Sequence, residues 1–175
     1  MSLTSQETFT LIFRPLCLSK EHRPKSYIYY FLVILKKGFN KIIISSGASY
    51  DDEIEKTCHL MRDHKDFSLL HCVTIYPTPL KEAHLNRIKY LKTLTKNVGI
   101  SDHSDPETTG YKLCVGAVNL GANIIEKHFT ILKKDQTRDG PVSVNSKQLK
   151  ELVDLVNLND EDRNEYINVR RGDNS

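Results

Sequence analysis

Cysteine is scarce, and none of it is paired in the chain. Cys17, Cys58, Cys72 and Cys114 are the only four among 175 residues, and no two form a C-x-x-C unit. That spacing excludes a zinc cluster, a dithiol redox motif or a disulfide framework, and it points to reduced thiols in a cytoplasmic protein. Tryptophan is absent. No apolar run approaches the roughly 18 residues that a membrane-spanning helix needs, and no secretory core of adequate length opens the chain. A dominant charge is missing too. Lys and Arg total 25 against 22 Asp and Glu, a net charge of +3 spread along the sequence. Nothing there calls for nucleic acid or a membrane surface as a partner.

What is present is a rhythm. Residues 1–26 mix short apolar pieces with basic, proline-containing sequence and read as an irregular N-terminal segment. An apolar, aromatic run from Tyr27 to Leu35 then meets Lys36-Lys37-Gly38, a helix stop. Four strand–helix units follow. The strands are expected at 41–47, 67–72, 98–102 and 123–129, each short, largely apolar and thus covered on both faces. The helices between them carry Ile54, Cys58 and Met61, then Leu85, Ile88 and Leu91, then Tyr111, Cys114, Val115 and Val118, then Leu149, Leu152, Val153 and Val156. Ser49 and Ser146 are the expected helix caps, and Gly121 the expected stop of the third helix. Such alternation predicts an α/β fold with a parallel sheet and right-handed crossovers, either doubly wound or of the barrel type. Residues 159–175 are polar and read as a tail or linker. Their Arg171-Gly172-Asp173 is read as a chance tripeptide.

In parallel α/β folds the chemistry gathers at the carboxyl ends of the strands, and here those ends are polar. They carry Ser45-Ser46-Gly47, then His71 through Pro77, then Ser101-Asp102-His103-Ser104, then Glu126-Lys127-His128. Successive strand residues face opposite ways. Ser101 and His103 therefore share one face, with Asp102 on the other. Glu126 and His128 share a face opposite Lys127 and Phe129. Adjacent strands could bring His103 and His128 to one rim, where two neutral imidazoles suit a divalent metal such as Mn²⁺, Fe²⁺ or Zn²⁺. A strand-end histidine read alone is more often a hydrogen-bonded structural residue, and two on neighbouring strand ends bring the two readings level. His71 and Cys72, being neighbours on a strand, face apart, so Cys72 reads as packing. Asp139-Gly140-Pro141 is first of all a turn. Lys133, Lys134 and Arg138 read as a solvated face.

At three of these places the chain resembles the sialic acid synthase family: His71-Cys72-Val73-Thr74-Ile75-Tyr76-Pro77-Thr78-Pro79, Gly99-Ile100-Ser101-Asp102-His103-Ser104, and Gly121 through Thr130 with Glu126-Lys127-His128-Phe129 inside it. Ile44-Ser45-Ser46-Gly47 is similar to a further family motif, usually Ser-Thr-Gly. The resemblance implies a (β/α)8 barrel of the TIM type, of which 27–158 would be strands five to eight with their helices. It implies a metal-dependent condensation of phosphoenolpyruvate with an N-acetylated hexose, such as N-acetylmannosamine, releasing phosphate. The metal would sit on His103 and His128, Mn²⁺ first, with Mg²⁺, Co²⁺ or Fe²⁺ as alternatives. Ser45, Thr74 and Ser101 would bind substrate, Thr74 standing where the family has Asn or Ser. Asp139, Tyr76 and Glu126 would be the catalytic side chains. The order Asp-Gly-Pro, where the family has Gly-Pro-Asp, makes Asp139 a shifted match.

The same resemblance implies a shortfall. The family's first four strands supply lysines for phosphoenolpyruvate, and its antifreeze-like C-terminal domain follows the barrel. Neither has a counterpart in this sequence. The expectation is therefore a half-barrel with bare edges and a bare inner face, acting as a homodimer or with a separate barrel half. Two other readings stay open on the sequence: a non-catalytic metal- or phosphate-binding remnant, and an unrelated flavodoxin-like binding module.

Overall fold

Five short strands lie side by side in the order in which the chain makes them. The structure is a computed structural model that describes residues 10–13 and 25–168. Strands β1 (Thr10–Phe13), β2 (Lys41–Ser45), β3 (Phe67–Cys72), β4 (Asn97–Asp102) and β5 (Ile124–Lys127) pair in parallel as β1-β2-β3-β4-β5. A doubly wound sheet reverses its strand order at a switch point. This one does not. Right-handed crossovers in unbroken sequence put the connecting helices on one face, so the sheet curls as a half-barrel.

The helices are α1 (Lys25–Gly38), α2 (Asp51–Met61), α3 (Arg87–Leu94), α4 (Pro106–Thr109), α5 (Lys112–Asn119), α6 (Ser146–Val156) and α7 (Asp160–Asn168). Strand alternation sends Ile42, Ile44, Phe67, Leu69, Val98 and Ile100 outward to them. These residues close a single core with Leu32, Leu35, Ile54, Cys58, Met61, Ile88, Leu91 and Leu113. Tyr111, Cys114, Val115, Val144 and Leu152 form a second cluster, against which Tyr166 and Ile167 pack. The other face of the strands is concave, and it is not bare as expected. Ile43, Ser68 and Leu70 are 7%, 0% and 0% exposed.

The sequence-based boundaries need four corrections. Residues 10–13, inside the stretch read as irregular, form β1, and Lys25 and Ser26 already belong to α1. The apolar run Thr-Leu-Ile-Phe is only four residues long, too short to stand out beside proline and charge. Residues 160–168, read as tail, are helical. Three acids in the first turn suit the helix dipole, and the Asp162 amide donates to Asn159 Oδ1 at 2.9 Å. Arg163 donates to Asn119 Oδ1 and to the Leu158 carbonyl, and the Tyr111 amide donates to Tyr166 Oη. The helix caps are Tyr50 and Asn145 rather than Ser49 and Ser146. Glu53 accepts the Tyr50 amide, and Asn145 and Gln148 each accept the other's amide. The Arg171-Gly172-Asp173 tripeptide and Cys17 lie outside the described residues. Gly121 does end α5 as expected, at φ 88°, a left-handed turn that favours glycine.

One glycine sets how closely two strands approach. A Cβ on Gly99 would lie 2.3 Å from the Ile124 carbonyl oxygen and 2.7 Å from Leu70 Cδ2. The first is backbone and cannot swing aside. Gly99→Ala should therefore push β5 from β4 and lower stability by about 1–3 kcal/mol, as overpacking does. Urea unfolding would read this as a lower midpoint at unchanged slope. An unchanged midpoint would contradict the close approach.

Candidate functional site

The parallel register delivers side chains to the rim in pairs. Ser101 stands opposite Glu126, and Asp102 opposite Lys127. His103 and His128 come next after β4 and β5, and their ring centroids are 5.3 Å apart. The loop after β3 folds back over them. Tyr76 stacks on His103 at 4.1 Å between centroids and meets His128 edge-on at 6.3 Å.

The hydrogen bonds assign the His103 tautomer. Its Nδ1 lies 3.2 Å from the Val73 carbonyl, which can only accept. Nδ1 therefore carries the proton, and Nε2 is left with its lone pair. That lone pair accepts from the Tyr76 hydroxyl at 2.7 Å, with Ser101 Oγ at 3.4 Å. His128 turns its Nδ1 toward Asp139 Oδ2, 3.8 Å away. Asp139 is half-exposed on a tight loop. A Cβ on the following Gly140 would lie 1.9 Å from the Lys134 carbonyl oxygen, so glycine at 140 is what lets the loop close.

Tyr76, Ser101, His103, His128 and Asp139 are thus brought together, with Glu126 beside Ser101 on the same face. Ser45 and Thr74 lie at the neighbouring strand ends. Ser45 Oγ accepts the Gly47 amide at 3.4 Å, and a Cβ on Gly47 would lie 2.9 Å from Cys72 Sγ and 3.2 Å from Thr74 Cγ2. An open cleft of about 630 Å³ runs along these two ends, lined by Ser46, Ser49, Thr74, His84 and Arg87 among others. The buried Ser46 hydroxyl has no hydrogen-bond partner among the described residues. Cys72, read as packing, sits with Sγ 3.9 Å from His103 Nδ1. His71 faces the other way. Its Nε2 donates to the Ala83 carbonyl at 2.6 Å.

Sequence reasoning passed over the outward partners of these residues. Lys127 Nζ donates to Asp102 Oδ2 at 2.9 Å and to the Ser104 carbonyl at 2.6 Å. The Cys114 thiol donates to the same carboxylate oxygen. Burial, then the Asp102 charge, pushes that thiol well above its ordinary range, so it stays protonated. Alternation placed Asp102 and Lys127 each opposite its neighbouring histidine, but only the strand register brings them into contact. Lys134, read as solvated, ties Asp105 and Glu107 together.

Among the described residues no group of three or more His, Cys, Asp or Glu gathers as a metal cage. A divalent ion would thus find two imidazoles and take water or substrate oxygen for the rest. The donor set fits such an ion. A metal-binding imidazole uses one nitrogen and is oriented through the other by a carbonyl or carboxylate; His103 has that arrangement through the Val73 carbonyl, and Asp139 lies 3.8 Å from His128 Nδ1, close to such a position.

The profile described as the NeuB family matches residues 26–163. The chain belongs to the NeuB family. It is 34% identical to a pseudaminic acid synthase of Campylobacter jejuni over 72% of this chain and 36% of that protein. It is 35% identical to an N-acetylneuraminate-9-phosphate synthase of Drosophila melanogaster over 70% of this chain and 34% of that protein. The chain therefore spans about a third of the length of these curated relatives. The crystal structure of an N-acetylneuraminic acid synthetase from Leptospira borgpetersenii superposes with a TM-score of 0.67 at 28% identity. It covers 93% of this chain and 52% of that one. Among the described residues no helix is long and apolar enough to cross a membrane, and Cys58, Cys72 and Cys114 are free thiols.

His71 makes the site's frame sensitive to acid. Burial holds its pKa below 6.5, against a smaller upward pull from the Ala83 bond. The unfolded chain therefore takes up a proton near pH 6.5 that the folded chain refuses. Stability then falls as pH drops through that value. Melting temperatures at pH 7.5 and 5.5 should differ more in the parent than in His71→Gln. Equal differences would remove His71 from the acid response.

Proposed function

We propose that this chain carries the metal-binding half of a sialic acid synthase-type active site, and that β2 to β5 are strands five to eight of the family's barrel. The observation that carries the reading is the His103–His128 pair. Two imidazoles on adjacent strand ends each have Nδ1 turned to an oxygen, and the Tyr76 hydroxyl sits on His103 Nε2. Lone imidazoles that only pack in a core have no need of that arrangement.

The proposed reaction joins phosphoenolpyruvate to an N-acetylated hexose. The methylene carbon of phosphoenolpyruvate bonds to the sugar's aldehyde carbon, water adds to the enol carbon, and phosphate leaves. A divalent ion, Mn²⁺ foremost, would supply Lewis acidity toward the aldehyde oxygen. The protein's own groups do the rest. Ser45, Thr74 and Ser101 offer hydroxyl donors that suit phosphate or carboxylate oxygens, and the 630 Å³ cleft gives an anion room beside Ser46 and Thr74. Tyr76 covers His103. Asp139 stands 3.8 Å from His128 and is exposed enough to meet the sugar. Glu126, half-buried beside Ser101, is the proposed proton acceptor. The lysines that the family uses for phosphoenolpyruvate would come from the first four strands of the barrel.

Calorimetric titration with Mn²⁺ tests the reading. His103→Ala and His128→Ala should each abolish binding, and retention in either would refute a shared ion. Tyr76→Phe removes the hydroxyl that competes for His103 Nε2. One hydrogen bond is worth about 1 kcal/mol net, so Mn²⁺ should bind about fivefold tighter. Phosphate release from phosphoenolpyruvate and N-acetylmannosamine checks the reaction itself. Sustained release by these residues alone would show that no further lysines are needed.

A further inference from the structure

We infer that Asp102 and Lys127 are positioning residues, which fix the spacing of the two imidazoles from the opposite face of the sheet. For its functional meaning this rests on the proposed shared metal; for its geometry it does not. Asp102 and Lys127 are register partners on β4 and β5. Their side chains are 0% and 3% exposed, buried where an unpaired charge is costly. Lys127 precedes His128, and Asp102 precedes His103.

The pair also grips the backbone just after His103. Asp102 Oδ1 accepts the Ser104 amide at 2.8 Å, and Lys127 Nζ donates to the Ser104 carbonyl at 2.6 Å. Both backbone polar groups of Ser104 are therefore held by the pair. His103 is bracketed between residue 102, which is one end of the clamp, and residue 104, which both ends hold. One ammonium thus joins the strand that carries His128 to the turn that carries His103. The Cys114 thiol donates to Asp102 Oδ2 from α5 and ties the clamp to the helical layer. Neither charged side chain touches the concave face, so the pair acts through the backbone rather than by contact with substrate.

The test uses the full chain with the pair replaced by neutral groups of similar size, Asp102→Asn together with Lys127→Met. Removing only one charge would strand the other, which the double variant avoids. In the metal-free protein, proton NMR should show a cross-ring contact between His103 and His128 in the parent. In the double variant that contact should be lost while the far-UV circular dichroism is kept. Mn²⁺ affinity should fall about ten- to a hundredfold, as with other outer partners of metal ligands. A double variant that keeps both the ring contact and the affinity overturns the inference. If the parent shows the ring contact but binds no Mn²⁺, the metal reading fails, and the ring contact alone still decides the positioning role. If the double variant does not fold, Asp102→Glu keeps the charge pair but lengthens the arm that must reach both Ser104 and Lys127. Loss of the ring contact there supports the inference, and an unchanged contact overturns it.

Discussion

The rim depends on the register between β4 and β5. Parallel pairing sets Ser101 beside Glu126 and Asp102 beside Lys127, and every functional pairing at the rim follows from that alignment. Two features hold it in place at opposite ends. Near its start, Gly99 lets the strands close to a distance that no side chain would permit. At its end, a buried ion pair bridges the two strands. Between them, alternation sorts the residues with no further instruction. The Asp102–Lys127 pair goes out toward α5, and the imidazoles, Ser101 and Glu126 go to the concave face.

Much of this was legible in the sequence because strands covered on both faces must be apolar along their length. The runs at 41–45, 67–72 and 97–102 therefore announced themselves, and so did their polar ends. Alternation then placed His103 and His128 on one face. The unbroken strand order was not legible, since doubly wound and barrel folds begin with the same strand–helix alternation. Nor were β1 and α7. Four residues give no period to read, and α7 has only Tyr166 and Ile167 facing the core, its hold coming mainly from polar bonds made by Arg163 and Tyr166. The helix caps were each misplaced by one residue, because Tyr50 is bonded through its amide rather than by a hydroxyl. The outward ion pair was visible as facing and invisible as contact, because a sequence shows side and not register.

Wetness is graded across the rim. His103 is almost fully enclosed, at 1% exposed, and its tautomer is dictated by a single backbone carbonyl. His128 is more open, and Asp139 beyond it is half in solvent. A ligand reaching the pair would therefore displace water on the side of the β5 loop and meet fixed dipoles on the side of β4. Fixed dipoles in a dry place act more strongly than the same groups in water. This asymmetry gives the two histidines different jobs in holding any common partner: one is preset, and the other is adjustable.

The alternation along β4 and β5 also limits how these segments can vary. Because Asp102 and His103 face opposite ways, a single residue gained or lost before either would exchange them. The carboxylate would turn to the concave face, and the imidazole would turn into the helical layer against Cys114. The same holds for Lys127 and His128. Substitutions can be absorbed here one at a time, but a change of length cannot, since it would empty the rim and bury the wrong groups in one step. Length variation in such a chain is confined to the loops that follow the rim, and they can grow without disturbing what the strands present.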